Sequence, residues 1–174
     1  MDILWSPWRS KYIQSFKDET HKNESENRCI FCDALEQDGK DKEMLIVTRR
    51  DKCFVILNKY PYNGGHIMVA PNRHISSLEE LEDDEIFALI KTIKKSIKVL
   101  EHISKPHGFN IGVNQGRVAG AGIPGHIHFH IVPRWNGDTS FMPVVSDTKI
   151  VSQSLEETQE IISKTFKELF PANE

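Results

Sequence analysis

Apolar and polar positions divide the chain into recognisable segments. Residues 44–49, 53–58 and 66–70 are rich in Val, Ile and Leu and are bounded by Asp51-Lys52 and Asn63-Gly64-Gly65, so they read as strands of a meander. Ile86, Leu89, Ile90, Ile93, Ile97 and Leu100 recur with helical period and predict a long amphipathic helix, with Lys91, Lys94, Lys95 and Lys98 on its solvent side. Ser77 and Glu80 have capping-box spacing, and Pro106 and Gly108 close the helix. Phe109 to Asn114 predicts a further strand. His126-Ile-His128-Phe-His130-Ile then alternates strictly, the pattern of a strand with one buried face. It sets three histidines on one face, about 6.6 Å apart, and Ile127, Phe129 and Ile131 in a core, with Pro133 ending the pairing. Leu155, Ile161, Ile162, Phe166, Leu169 and Phe170 mark a C-terminal helix. The sum is an α+β domain: an antiparallel sheet of about five strands, one long helix and a C-terminal helix.

A chain of 174 residues fits one domain with a sizeable core. We take it as residues 29–174, with 1–28 as an N-terminal segment packed on the fold. Trp5 and Trp8 beside Arg9 either meet a nucleotide base or pin that segment, and the large apolar area of tryptophan favours pinning. A net charge of −3 gives no nucleic-acid footprint. No apolar run approaches the roughly 20 residues of a membrane span, and the first residues lack a signal-peptide pattern. Three cysteines, Cys29, Cys32 and Cys53, do not make a disulfide framework, so a reducing cytoplasm is the expected compartment.

The candidate chemistry gathers around the histidine row. Gly116 to Gly125 holds four glycines in ten residues, Gly116, Gly120, Gly122 and Gly125. Such a loop lets backbone N–H groups approach a phosphate. The row itself admits a metal site or an oriented nucleophile. Cys29-x-x-Cys32 suits zinc or redox chemistry, but a zinc module would need two ligands from distant chain. The alternative is a pair of reduced thiols. Cys53 opens an apolar run and reads as core. Asn58, before Tyr60-Pro61, is either a turn former or a ligand to hydroxyls.

His-Ile-His-Phe-His-Ile-Val resembles the signature of the histidine triad family, His-φ-His-φ-His-φ-φ with φ apolar. The similarity extends to Phe54-Val-Ile-Leu-Asn58 and Gly65-His66-Ile-Met-Val-Ala-Pro71, over roughly residues 29–145. The family consists of nucleotide hydrolases and transferases that pair as two-fold homodimers through the long helix and sheet edge. The resemblance implies that His128 is the nucleophile and that His130 meets the bridging or leaving oxygen. It places Asn58 at the ribose, His66 near the nucleotide, and Asn114 or its neighbour Gln115 at the phosphates, with Gly120 and Gly122 in the cradle. It implies a structural zinc on Cys29, Cys32, His74 and His126, and leaves room for Mg2+ with a polyphosphate substrate. Ala-Gly-Ala-Gly-Ile-Pro and Pro-Arg-Trp-x-Gly-Asp resemble the dinucleoside polyphosphate group, from which Ser140 departs where asparagine is expected. The implied activity is cleavage of a dinucleoside polyphosphate, such as diadenosine tetraphosphate, at the α phosphate through a nucleotidyl-histidine. The alternatives are a phosphorylase using inorganic phosphate, a zinc-stabilised AMP binder with little turnover, and a metal hydrolase built on His126, His128, His130 and Asp138.

Overall fold

The computed structural model describes residues 29–138 and 154–171. The expectations for Trp5, Trp8, Arg9 and Ser140 lie outside the described residues. Within them run α1 (Ile30–Glu36), β1 (Ile46–Arg49), β2 (Cys53–Leu57), β3 (Ile67–Pro71), α2 (Asp83–Ser104), β4 (Gly108–Val113), β5 (Phe129–Arg134) and α3 (Leu155–Leu169). The strands form one antiparallel sheet in the order β1-β2-β3-β5-β4. This is the expected α+β architecture, with α1 as an addition that no apolar period announced.

Alternation along the strands splits the core between the two faces of the sheet. Cys53, Val55 and Leu57 of β2, Ile67 and Val69 of β3, and Ile131 of β5 pack with Leu89, Ile93, Val99 and Leu100 of α2 and Ile162 and Phe166 of α3. Phe54, Ile56, Met68 and Ala70 point the other way, against Phe31 and Ala34 of α1. His130 pairs with Met68 across the sheet, so the histidines occupy the α1 face. The helical layer supplies stability and the α1 face carries the polar groups.

Several boundaries differ from the pattern. Ser77 and Glu80 do meet, through Ser77 N and Oγ to Glu80 Oε1 at 3.1 and 3.0 Å. They head a short 3-10 turn, Leu78–Glu80, rather than α2. Helix α2 begins at its own box, Glu82 and Glu85. Of the lysines expected in solvent, Lys95 is half-buried and lies over the Phe170 ring at 4.9 Å. Pro133 does not end the strand. It pairs with Phe109 of β4, while pairing with β3 stops at Ile131. The Pro133 carbonyl accepts from Asn63 Nδ2 at 3.0 Å on the β3 side. Its missing N–H therefore falls where the ladder has already ended, and proline costs nothing there.

Candidate functional site

The ladder of β5 starts at Phe129, so only His130 of the three histidines sits on a paired strand. Ile127 N–H instead donates to Ile75 O at 2.7 Å. The preceding rings leave the even spacing of an ideal strand and separate into two groups.

The first group gathers Cys29, Cys32, His74 and His126. Cys29 is the N-cap of α1 and Cys32 lies in its first turn, so spacing of three residues turns both sulfurs to one side. His74 follows β3 on a turn that is tied down on three sides. Pro71 O receives His126 Nε2, Asn72 Nδ2 donates to Arg50 O and Asp51 O, and Arg73 makes a two-pronged contact with Glu85 at 2.8 and 2.7 Å. The four ligand atoms lie within 4.8 Å of one another. Cys29 Sγ is 3.3 Å from His126 Nδ1, Cys32 Sγ 3.3 Å from His74 Nδ1 and Cys32 Sγ 3.7 Å from His126 Nδ1. A tetrahedral zinc with ordinary bond lengths needs sulfur–nitrogen edges of about 3.6 Å. A carbonyl can only accept, so the 2.9 Å contact with Pro71 O places the His126 proton on Nε2 and leaves Nδ1 as a lone pair facing the thiols. Burial, then the Cys29 thiol, push the Cys32 thiol up to about 11. The donor set fits a closed structural metal.

The second group is a hydrogen-bonded chain. His128 Nδ1 lies 2.8 Å from His126 O. The carbonyl fixes the proton on Nδ1 and leaves His128 Nε2 as a free lone pair. Burial holds His128 below the usual histidine range, so the imidazole is neutral. Tyr62 N–H donates to His66 Nδ1 at 3.0 Å. Neutral His66 must then carry its proton on Nε2, which lies 3.0 Å from His130 Nδ1. His130 accepts there and so holds its own proton on Nε2. Burial, and then the repulsion that two protonated rings would feel beside His128, push His130 down to about 4. The His128 and His130 rings are 4.9 Å apart. One presents a lone pair and its neighbour an N–H.

Phe31, fully buried, stands between the groups, with its ring 5.1 Å from His126 and 5.0 Å from His128. Neither Phe31 nor Tyr62 was singled out from sequence. Phe31 lay inside the Cys-x-x-Cys motif, and Tyr62 between Asn58 and His66. Asn58 Oδ1 accepts from Tyr60 N at 2.9 Å, the turn-forming behaviour weighed for it, while its Nδ2 lies 3.3 Å from His66 Nδ1. Asn114 Nδ2 donates to Gly120 O at 3.4 Å and braces the glycine loop. Gly120 N–H is committed to Arg117 O. Gln115 turns to the 3-10 segment, accepting from Leu78 N and donating to Glu79. Asp138 is bound by Arg134, Asn63 and Trp135 N–H, which takes it away from the three-histidine metal site. Cys53 is core, 3.2 Å from Thr92 Oγ1.

Comparison with known proteins gives the family. The family model described as HIT domain matches residues 40–137. A Mycobacterium tuberculosis protein named AP-4-A phosphorylase is 38% identical over 160 residues, 92% of this chain and 82% of its own length. A hypothetical histidine triad nucleotide-binding protein from Sulfolobus tokodaii has a TM-score of 0.66 at 27% identity, covering 84% of this chain and 99% of that one. A Zn-bound histidine triad family protein from Mycobacterium smegmatis shares the fold, with a TM-score of 0.64 at 22% identity over 81% and 94% of the two chains. Matched by the family model over more than half its length and by a relative over nearly all of it, the chain belongs to the HIT domain family.

Proposed function

We propose that this HIT-type enzyme cleaves a dinucleoside polyphosphate, with diadenosine tetraphosphate as the first candidate, through a nucleotidyl-histidine on His128. The carrying observation is the pair of complementary imidazoles, a lone pair on His128 Nε2 beside an N–H on His130 Nε2. The lone pair attacks the α phosphorus, and a P–N bond forms as the bridging P–O bond breaks. His130 hydrogen-bonds the departing oxygen, where charge develops. The glycine loop braced by Asn114 receives the phosphate oxygens, with Gly122 in the cradle. Gly120 contributes shape, because its N–H is already used. Asn58 keeps a second lone pair on Oδ1 for a ribose hydroxyl, and His66 sets the proton position of His130. Gln115 supports the neighbouring turn and leaves the phosphates to Asn114.

Inorganic phosphate is the acceptor in this reading, releasing a nucleoside diphosphate. Similarity to the AP-4-A phosphorylase over most of the chain supports it. Cys29, Cys32, His74 and His126 would hold zinc, which when bound supplies a structural cross-link between α1, the turn after β3 and the approach to β5. Thiol ligands suit a reducing compartment, which supports a cytoplasmic place; no described helix is long and apolar enough to cross a membrane.

A homodimer completes the proposal. Phe87 is 72% exposed on α2 beside exposed Ile86 and Ile90. An open apolar groove of about 260 Å³ runs between Ile86, Ile90, Leu78 and Phe129. Strand β4 is a sheet edge with Asn110, Ile111 and Gly112 exposed. Such an edge and apolar face suit two-fold pairing.

The experiment is incubation with diadenosine tetraphosphate with and without inorganic phosphate. ADP and ATP appearing only with phosphate support the proposal. AMP and ATP without it make water the acceptor. Tight binding with no product sinks the reaction.

A further inference from the structure

The proposed reaction leaves Tyr62 without a use beyond its backbone N–H. Its ring lies nearly parallel to His130, at 25° and 5.8 Å between centroids, and 4.6 Å from His66. Yet the residue is 57% exposed. One face rests on the imidazoles and the other is open.

The loop that presents it is fixed. Asn63 Nδ2 donates to Pro133 O at 3.0 Å and to Asp138 Oδ2 at 2.9 Å, and Asp138 is in turn clamped by Arg134. Tyr60, 68% exposed, stands two residues before it. Large aromatic side chains held open on a pinned loop beside a buried polar chain call for a ligand.

The order of the rings gives the direction. Along the chain they run His128, His130, then His66 and Tyr62, each in contact with the next. The attacking nitrogen is at one end, and His130 stands on the side of the departing oxygen. Whatever leaves the α phosphate therefore heads toward Tyr62. A leaving nucleotide carries an aromatic base, and bases stack on tyrosine faces with little regard to sequence.

We propose that the open face of Tyr62 is the stacking platform for the base of the departing nucleoside. The inference rests on the direction of cleavage assigned above. It makes Tyr62 a specificity residue, separating substrates with two nucleosides from those with one.

The test uses two ligands alike except for the second nucleoside, diadenosine tetraphosphate and adenosine 5′-tetraphosphate. Equilibrium binding is measured in the His128→Ala background, where no nucleotidyl-histidine can form. With Tyr62 present, the dinucleotide should bind roughly tenfold tighter, the scale of one base stacked on an aromatic ring. Tyr62→Ala should erase that preference while leaving adenosine tetraphosphate within about twofold, and Tyr62→Phe should keep it. Equal affinity for both ligands with Tyr62 intact overturns the platform. So does an equal loss for both in Tyr62→Ala, which would mean that the ring only orders the histidines, and so does failure to bind either ligand. Wild-type turnover is assayed separately. Preference without turnover retires the reaction and keeps the platform, whereas turnover without preference retires the platform alone.

Discussion

His128 donates from Nδ1 to the backbone carbonyl of His126, 2.8 Å away. Through this bond one residue serves both groups of the site. The ring of His126 turns its Nδ1 toward the two thiols, and its carbonyl fixes which nitrogen of His128 is free. The bond is short and buried, so it outlasts exchange with solvent and the free nitrogen is set before any substrate arrives.

Removing that nitrogen separates chemistry from binding. His128→Ala should lower turnover of diadenosine tetraphosphate by at least about 10⁴-fold, as loss of a nucleophile does. Nucleotide affinity should change far less, since the loop and Asn58 remain. Acid-stopped mass spectrometry of the wild type should find an added AMP mass on the peptide containing His128. Near-normal rates in the variant would defeat the mechanism.

His66→Ala should unfix the neighbouring imidazole. Without His66 Nε2–H, His130 can place its proton on Nδ1 and present a lone pair where a donor is needed. Turnover should fall about 100-fold, the scale of a misplaced acid–base group. Nitrogen-15 spectra of labelled histidine should show His130 as the Nε2–H tautomer in the wild type and as a mixture in the variant. A single unchanged tautomer would leave His66 as a packing residue.

Cys32→Ser tests the metal group. Zinc content of the purified protein should fall from one per chain toward zero, and the melting temperature should drop, because the group ties α1 to two distant segments. The chemical step measured in single turnover should suffer less than the stability. Full zinc occupancy in the variant contradicts the four-ligand assignment.

Glu85 anchors the turn that carries His74. Its nearly buried carboxylate receives Arg73 twice and Glu82 N–H at 2.9 Å. The Arg73 guanidinium lowers its pKa to about 2. The folded value lies below the unfolded one near 4.5, so its contribution is complete above pH 4.5 and is lost as pH falls from 4.5 toward 2. Glu85→Ala should cost about 2 kcal/mol at pH 7 in urea denaturation, and the gap from wild type should close over that acid window. A gap constant from pH 7 to pH 2 would assign the loss to packing.

The apolar face of α2 predicts the assembly. Sedimentation at micromolar concentration should give twice the 20.0 kDa chain mass. Phe87→Asp, which puts a charge on the exposed stripe, should return the protein to monomer. A wild-type mass near 20 kDa would remove the dimer.

The sequence by itself determined four of the strands, the long helix and the opposite directions of His130 and its neighbours Phe129 and Ile131. These rest on period, and each strand or helix buries its own repeating face whatever its neighbours are. Helix α1 escaped, since its seven residues are too few for a period. The resemblance brought Cys29, Cys32, His74 and His126 together, but no local pattern could test a group whose members stand 97 residues apart in the Cys29–His126 pair.

Tertiary structure alone decided where the protons sit. Which nitrogen of a histidine is free depends on the group facing the other nitrogen. Those groups are Pro71 O for His126, His126 O for His128, and Tyr62 N–H acting through His66 for His130. Backbone donors and acceptors look alike in every sequence, and only folding aims them. The same holds for Tyr62, an ordinary loop residue until the pinned turn lays its ring on His130, and for Pro133, whose tolerance within β5 depends on β3 having ended beside it.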